Sequence, residues 1–327
     1  MPTLEEYLGP WCALRRALGR RTADTDRARL RLYALPPFGQ KPLDAISTAE
    51  IAQWVSVLVE AGLAPRTVRH AYRAMSSLMR SAAVHGLIKV SPCQLGRADL
   101  PPDIDKDPER AARAPLSPAE LVALCTCPDV PLERRMIWMV LGLTGARISE
   151  AAALQWSDLD TDAAPLWRLT ISAQWDLKRR ERIPLKTHRP RLVPVLPALA
   201  DALGAWRARG WARVAGRMPH PSEPILINQR GGRISKYTIR KALIRDLGSA
   251  GLRTHHTTHH LRNTFRTLCR NAGCRDEVIG TITHAAKRDA LERYTVTTWS
   301  TLCAEIVRVD LGELAAPELQ TGDLTGG

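Results

Sequence analysis

Residues 258–269 read THHLRNTFRTLC, and this stretch determines how we expect the second half of the chain to fold. Its apolar residues recur at helical spacing and form one stripe, which consists of Leu261, Phe265, Leu268 and Cys269. His259 and Arg262 lie one turn apart on another side of the same helix. An imidazole beside a guanidinium suits phosphate binding and proton transfer, although such a pair alone is more often a helix cap and a surface arginine.

A second segment with reactive groups lies upstream, where residues 141–160 read LGLTGARISEAAALQWSDLD. Arg147 and Glu150 are one helical turn apart in it. They follow Thr144 and Gly145, a turn that could bring the backbone and the guanidinium close to a ligand. The alternative is an exposed ion pair at i,i+3 spacing, which stabilises a helix by only about 0.3 kcal/mol.

Two further segments carry groups that could act on a phosphate. Lys186 lies in PLKTHRPRLVP, residues 184–194, on a predicted turn between extended segments. His284 ends GTITH, residues 280–284, and Tyr294 follows it by ten residues. Taken singly, a turn lysine is usually solvated, and a tyrosine near the end of a domain usually packs in a core or an interface.

The patterns along the chain predict a mainly α-helical protein with a small antiparallel β-sheet, an α+β fold in two domains. Residues 1–98 show helical periodicity, with a capping box at Ser47 and Glu50. Residues 99–116 are rich in proline and charge and predict a linker. The second domain spans residues 117–312, with strands expected from about Leu166 to Val195 and helices again after Ser235. We expect the tail, residues 313–327, to be disordered.

Composition favours a polyanionic partner. The 327 residues carry a formal charge of +14, and the pI is about 10.0. Of the 47 basic residues 8 are lysine, which leaves 39 arginines, and a GC-rich genome is an equally good explanation of that bias. In the helix after Pro65, basic residues share the face opposite the apolar one, and we predict that they contact DNA rather than only solvent: Arg66, Arg69, Arg73 and Arg80.

Other classes of protein receive little support from the sequence. The seven cysteines form no CxxC pair and no zinc-type spacing with histidine, so we expect no metal and no cofactor. The longest apolar stretch, residues 136–146, is far shorter than the roughly 20 residues that a membrane-spanning helix needs. The N-terminus lacks a signal-peptide pattern. We therefore expect a cytoplasmic protein without a membrane partner.

In their order along the chain, the four segments resemble the catalytic set of tyrosine recombinases, the family of phage integrases and Xer-type recombinases. Arg147 and Glu150 match the first arginine and the acidic residue of the T-G-x-R-x-S-E box. Lys186 matches the lysine of the family's β-hairpin. His259 and Arg262 match the H-x-x-R box.

The resemblance covers nearly the whole chain. His284 matches the histidine or tryptophan that follows the H-x-x-R box, and Tyr294 matches the nucleophile. Residues 1–98 resemble the family's helical core-binding domain, which contacts DNA. The resemblance therefore implies a site-specific DNA recombinase, or integrase, with a helical core-binding domain and a tyrosine-recombinase catalytic domain.

The resemblance also implies what each group does. Tyr294 would attack a DNA phosphodiester and form a 3′-phosphotyrosine, so that strands are cut and rejoined without ATP or metal. Arg147 and Arg262 would clamp the non-bridging oxygens, and His284 would donate a hydrogen bond to them.

Three more residues would support this chemistry. Lys186 would protonate the leaving 5′-oxygen, and His259 would accept the tyrosine proton or donate to the phosphate. Glu150 would orient Arg147 and His259.

The apolar residues of the segment 299–311 recur at helical spacing, and packing on their own domain is as good an interpretation as the one that the family implies. In that second interpretation the segment docks onto a neighbouring subunit of a homotetramer on DNA.

Two other functions remain open at this level. The first is a sequence-specific DNA-binding protein whose recombinase domain is degenerate and inactive. The second is a metal-dependent nicking enzyme or hydrolase that uses the histidines at 255, 256, 259 and 260. For the favoured function we expect double-stranded DNA with short inverted-repeat core sites as the partner, no separate arm-site-binding domain, and a nucleoid-associated location.

Overall fold

The computed structural model describes residues 1–20, 22–102, 115–283 and 297–311. The chain divides into two compact units, Met1–Arg110 and Ala111–Gly327, and the division falls within the segment 99–116 that we interpret as a linker. That these units are separate core-binding and catalytic domains, with the bounds given above, stays a prediction. The tail that we expect to be disordered lies outside the described residues.

In the described part of the first unit, every regular secondary-structure element is a helix. Capping boxes start two of its helices, at Thr3 with Glu6 and at Ser47 with Glu50, as the sequence pattern at the second position predicts. The helices are α1 (Leu4–Ala17), α2 (Ala23–Tyr33), α3 (Leu35–Phe38), α4 (Thr48–Glu60) and α5 (Pro65–Val84).

Helix α5 supplies much of this unit's core. Its apolar face is fully buried, and the Tyr7 hydroxyl of α1 lies 3.1 Å from Ser81 Oγ and 3.0 Å from His85 Nδ1 at the end of α5. On the other side of α5, Arg66, Arg73 and Arg80 are exposed. Arg69 is half-buried, and its Nε donates a hydrogen bond of 2.6 Å to the carbonyl of Pro101.

The second unit has more helices than the sequence pattern predicts. They are α6 (Pro118–Thr126), α7 (Leu132–Thr144), α8 (Ile148–Ala151), α9 (Pro197–Ala205), α10 (Trp211–Ala215), α11 (Lys236–Ser249), α12 (Thr258–Asn271), α13 (Asp276–Thr283) and α14 (Trp299–Ile306). The expectation that helices resume only after Ser235 is wrong, because α9 and α10, joined by a π-helical segment, precede it. A buried tryptophan holds this region in place, because Trp206 Nε1 donates a hydrogen bond to the Ile225 carbonyl.

The strands form two small antiparallel sheets, where the sequence predicts one. They are β1 (Leu159–Asp160), β2 (Arg168–Ile171), β3 (Ala173–Asp176), β4 (Glu181–Pro184) and β5 (Arg191–Pro194). One sheet has the order β1-β2-β5, and the other is the β3-β4 hairpin. Strand β5 therefore pairs with β2, in a register that places Arg191 opposite Ile171, and the hairpin is an excursion between them. The predicted α+β class is confirmed.

Helix α7 lies at the centre of this unit. Residues 136–144 are all buried, and the helix packs against α6, α9 and α12. The apolar stretch that the sequence shows there is thus a core helix. Among the residues that the structure describes, none of the helices has the length and apolarity needed to span a bilayer. Helix α7 ends where the first group of reactive residues begins.

Candidate active site

The chain turns sharply at Gly145, directly after α7. Gly145 has a φ of +60°, a left-handed conformation that residues with a Cβ rarely adopt. A Cβ at this position would lie 2.6 Å from Phe265 Cδ1 and 3.1 Å from Thr283 Cγ2. Glycine is therefore required twice, for the backbone conformation and for the close approach of α12 and α13.

Helix α8 begins immediately after this turn, and Glu150 caps it. The Arg147 backbone N–H donates a 2.8 Å hydrogen bond to Glu150 Oε2, and Arg147 Nη1 donates one of 2.8 Å to Oε1. Glu150 is buried, with 3% of its surface exposed, whereas 44% of the Arg147 side chain is exposed. The pair that could have been a surface ion pair thus has a buried carboxylate and a guanidinium that reaches the surface.

A third group reaches Glu150 from strand β5. Arg191 Nη2 donates to Glu150 Oε2 at 2.5 Å, and only 1% of the Arg191 side chain is exposed. Burial raises the pKa of Glu150, but the hydrogen bond and charge of Arg191, followed by the hydrogen bonds from Arg147, outweigh this effect and lower it to about 2. Glu150 is therefore ionised at neutral pH. Arg191 was not among the residues that we selected from the sequence.

Helix α12 places the second guanidinium at the same turn. Arg262 is buried, with 4% of its surface exposed, and its Nη1 donates a hydrogen bond to the carbonyl of Gly145. Burial, and next the charge of Arg147, lower the pKa of Arg262 to about 9. The guanidinium stays charged at neutral pH. Arg147 and Arg262, which are 115 residues apart in sequence, thus meet at one turn.

His259 lies one turn before Arg262 on α12. Partial burial of the ring lowers its pKa below the usual range, although the side chain remains exposed. The charges of Arg262 and Arg147 lower it further. His259 is accordingly a neutral imidazole at neutral pH, the form that can accept a proton.

Lys186 lies where the sequence predicts, on the loop between β4 and β5, and it is exposed. The loop is fixed at both ends: Leu185 is buried, and Arg191 follows Lys186 by five residues. Lys186 is thereby connected through one short segment to the arginine that holds Glu150.

Two predicted site residues, His284 and Tyr294, lie outside the described residues. Helix α13 ends at Thr283, which approaches Gly145. The residue directly before His284 is therefore at the turn that Arg262 contacts.

The four clustered histidines do not gather around a common point as metal ligands. Within residues 1–20, 22–102, 115–283 and 297–311, no group of three or more His, Cys, Asp or Glu residues is arranged to hold a metal ion. His260 Nδ1 accepts a 2.8 Å hydrogen bond from the Thr257 backbone N–H and so caps α12, and His256 packs edge-on against His260. The structure gives these two histidines a local structural role.

The arrangement suits an oxyanion. Arg147 and Arg191 bind one carboxylate and Arg262 interacts with it through space, so the cluster carries a surplus of positive charge. Two of these guanidiniums meet at the turn that follows α7, beside a neutral imidazole. Such a site can bind a phosphodiester and stabilise the charge that develops on its oxygens when phosphorus is attacked.

Comparisons with known proteins agree with this chemistry. The model of the phage integrase family matches residues 116–298. The chain is 27% identical to tyrosine recombinase XerD of Mycobacterium leprae, over 90% of this chain and 92% of that protein. It is 26% identical to tyrosine recombinase XerC of Rhodospirillum centenum, over 89% and 81% of the two chains.

Solved structures show the same fold. A Tn1549 transposon integrase fragment in complex with circular intermediate DNA is similar with a TM-score of 0.70 and 20% identity, over 94% of this chain and 99% of that one. A lambda integrase dimer bound to a core site is similar with a TM-score of 0.63 and 16% identity, over 89% and 94%.

The turn at Gly145 gives the first testable prediction. Gly145→Ala should lower the free energy of unfolding by at least about 2–3 kcal/mol, because it adds a clash with Phe265 to left-handed backbone strain. Urea denaturation followed by circular dichroism measures this change.

Gly216, which ends α10, provides the matched control. It also has a positive φ, +73°, but nothing lies within 4 Å of the position that its Cβ would take. Gly216→Ala should cost only about 1 kcal/mol, the backbone strain alone. Equal losses for the two variants would contradict the close packing of α12 on the turn.

Proposed function

The chain belongs to the phage integrase family, and we propose how this tyrosine recombinase cuts and rejoins DNA: Tyr294 attacks a phosphodiester that Arg147 and Arg262 hold. The observation that carries the proposal is the meeting of these two guanidiniums at the Gly145 turn, braced by the buried carboxylate of Glu150. Bound there, a phosphate would have both arginines on its non-bridging oxygens.

The chemistry follows from the need to break a DNA strand without losing the bond to water. Attack by the Tyr294 phenol oxygen on phosphorus forms a 3′-phosphotyrosine and releases a 5′-hydroxyl. Attack by a 5′-hydroxyl on that phosphotyrosine reseals DNA, so the bond energy is conserved and neither ATP nor metal is needed. Arg147 and Arg262 stabilise the charge on the non-bridging oxygens, each by a few kcal/mol, and His284 adds a hydrogen bond.

Proton transfers accompany both bonds. His259 is suited to accept the phenol proton, since partial burial, and next the charges of the neighbouring guanidiniums, lower its pKa and keep the ring neutral. Lys186 is suited to protonate the leaving 5′-oxygen, because it is exposed on a loop whose far end is tied to Glu150 through Arg191. Glu150 orients Arg147.

The decisive experiment uses a nicked suicide duplex, in which the released short strand diffuses away and cleavage cannot reverse. The DNA is chosen from inverted repeats beside the gene. The wild-type protein should form a covalent adduct on a denaturing gel, and Tyr294→Phe should form none. Absence of an adduct with the wild type would instead support a DNA-binding protein with an inactive recombinase domain.

The same assay tests the role of Lys186. Lys186→Ala should slow cleavage by about a hundredfold or more, the usual contribution of a general acid. A substrate with sulfur in place of the bridging 5′-oxygen should restore the rate, because a thiolate leaves without protonation. A sulfur substrate that stays slow would refute the general-acid role and leave the covalent mechanism intact.

The first unit is proposed to bind the DNA backbone through the basic face of α5, formed by Arg66, Arg69, Arg73 and Arg80. Three of these four side chains are exposed, and they line one side of a helix whose other side is the core. Their charge suits phosphates, and the inverted-repeat core sites give the expected target. A location at the nucleoid, in the cytoplasm, follows from such a substrate.

Arg73→Ala should weaken DNA binding to a similar extent for all sequences and reduce the salt dependence of log K by about one unit, since one phosphate contact is lost. Titration of labelled DNA at several salt concentrations measures both effects. Arg16→Ala is the control, because Arg16 is exposed on α1 but already paired with Asp24. An unchanged salt slope in Arg73→Ala would contradict the proposed contact.

The segment 299–311 is proposed to link subunits in a homotetramer on DNA. In the single chain it packs on its own unit: Leu302 and Ile306 of α14 are buried, and Trp299 Nε1 donates to the Ala164 carbonyl at 3.0 Å. Exchange of an identical helix between subunits replaces these contacts with equivalent ones, so it costs little. Because the segment begins five residues after Tyr294, exchange would couple assembly to the nucleophile.

A chain that ends at Thr298 should still bind one half-site but fail to form the four-subunit complex on paired sites, as measured by sedimentation velocity. Circular dichroism checks its fold, because the truncation uncovers apolar surface. In a second arm, excess peptide of residues 297–311 should inhibit assembly of the full chain. Undiminished assembly in both arms would refute the proposal.

A further inference from the structure

Arg191 is a buried cation beside the proposed active site. It lies on β5, with 1% of its side chain exposed, and Glu150 Oε2 accepts its Nη2–H. Its Nε and Nη1 have no hydrogen-bond partner among the residues that the structure describes. A guanidinium stripped of water and only partly compensated destabilises the fold relative to an apolar residue of similar size. Stability therefore does not account for an arginine here.

The contacts of Glu150 show what Arg191 changes. Oε1 binds the Arg147 side chain, while Oε2 binds both the Arg147 backbone and Arg191. Without Arg191, the single negative charge of Glu150 would be compensated by Arg147 alone among its hydrogen-bonded partners. That would weaken the attraction of Arg147 for a phosphate, because a carboxylate 2.8 Å away competes for the same charge.

We propose that Arg191 is a positioning residue for DNA cleavage: it holds Glu150 against the Arg147 turn while cancelling the charge of that carboxylate. Arg147 is then oriented by Glu150 but still presents a full positive charge to the scissile phosphate. The cleavage step of this inference rests on the proposed function, whereas the charge sharing is a property of the folded chain alone.

The charges around Glu150 make this assignment specific. Arg147 is on its own helix start, Arg191 comes from β5, and Arg262 on α12 interacts with it through space. Of the two arginines that touch the carboxylate, Arg191 has the larger influence on its pKa. The partner that is farthest from solvent thus contributes most to neutralising Glu150.

The two possible roles of Arg191, support of packing and balancing of charge, predict different activities for a double variant of Arg191 and Glu150. If Arg191 only supports packing, removing the charge of Glu150 as well should not restore activity. If Arg191 cancels that charge, Arg191→Met should impair cleavage because Glu150 is uncompensated, and adding Glu150→Gln should relieve the impairment.

The first experiment measures single-turnover cleavage of the suicide duplex at saturating DNA. Arg191→Met should slow cleavage about tenfold or more, somewhat less than the roughly hundredfold or greater loss from removing a direct oxyanion donor. DNA affinity should change less than about twofold, since phosphate contacts on both units remain. Arg191→Met combined with Glu150→Gln should recover most of the rate, and Arg191→Lys should retain more activity than Arg191→Met.

Arg134→Met serves as the matched control. Arg134 Nε binds both oxygens of the buried Asp246, at 3.1 Å and 2.8 Å, so it forms a comparable ion pair in the same unit but away from the Gly145 turn. This variant should lose stability and keep its cleavage rate at temperatures where it is folded. If Arg191→Met also keeps its rate, or if Glu150→Gln deepens its defect, the positioning role is overturned.

The second experiment does not depend on activity. Carbon NMR of the Glu150 carboxyl should show a pKa of about 2 in the wild type and a clearly higher one in Arg191→Met, because a buried carboxylate loses its strongest cation. A carboxyl whose pKa is lower in the native than in the unfolded state stabilises the fold at pH values above its unfolded-state pKa. That stabilisation is lost as the pH falls through the native-state pKa. Acid unfolding of Arg191→Met should therefore begin at higher pH, while Arg134→Met leaves the Glu150 titration unchanged.

The two experiments separate the possible failures. An unchanged Glu150 pKa in Arg191→Met overturns the inference even if the enzyme is active. A raised pKa without any adduct from the wild type refutes the proposed cleavage, and with it the role of Arg191 in catalysis, but leaves the charge sharing established. A raised pKa together with rescue by Glu150→Gln supports both.

Discussion

The buried carboxylate of Glu150 joins two parts of the second unit that are distant in sequence, the turn at Arg147 and strand β5. It caps α8 through the Arg147 backbone, holds the Arg147 side chain and receives Arg191 from β5. Because an ionised carboxylate without partners is costly to bury, each of these contacts offsets part of the cost of burying Glu150. The turn, the strand and the guanidinium are thus fixed relative to one another by one charge.

The same turn is enclosed by apolar packing from the other side. Gly145 lies against Phe265 of α12 and Thr283 of α13, and Arg262 on α12 binds the Gly145 carbonyl. The two arginines are therefore placed by helix ends and close packing, not by long loops. A site that must stabilise charge in a transition state benefits from groups that need not reorganise when that charge develops.

The periodicity of apolar residues predicted many of the helices. It failed where the structure depends on contacts between residues that are distant in sequence. Helices with a single apolar face, such as α5 and α12, were predictable, as was the capping box at Ser47. The two-sheet arrangement was not, because β5 pairs with β2 across the β3-β4 hairpin. Helices α9 and α10 were missed because buried tryptophans, whose role depends on distant carbonyls, hold them in place.

The predicted site shows a similar limit. Boxes that place Arg147, His259 and Arg262 were visible in the sequence, but Arg191 was passed over as part of a strand. A signal was present: alternation in a strand places Arg191 on the same face as the buried Val193, and a buried arginine implies a carboxylate partner. Arginine in this chain therefore has one role inside the fold, beside the role on DNA that we propose for the exposed face of α5. Arg134, Arg191 and Arg262 each donate a guanidinium N–H to a buried oxygen, and Arg134 Nε reaches both oxygens of Asp246. Part of the surplus of arginine over lysine thus lies inside the second unit, where these guanidiniums bind buried oxygens.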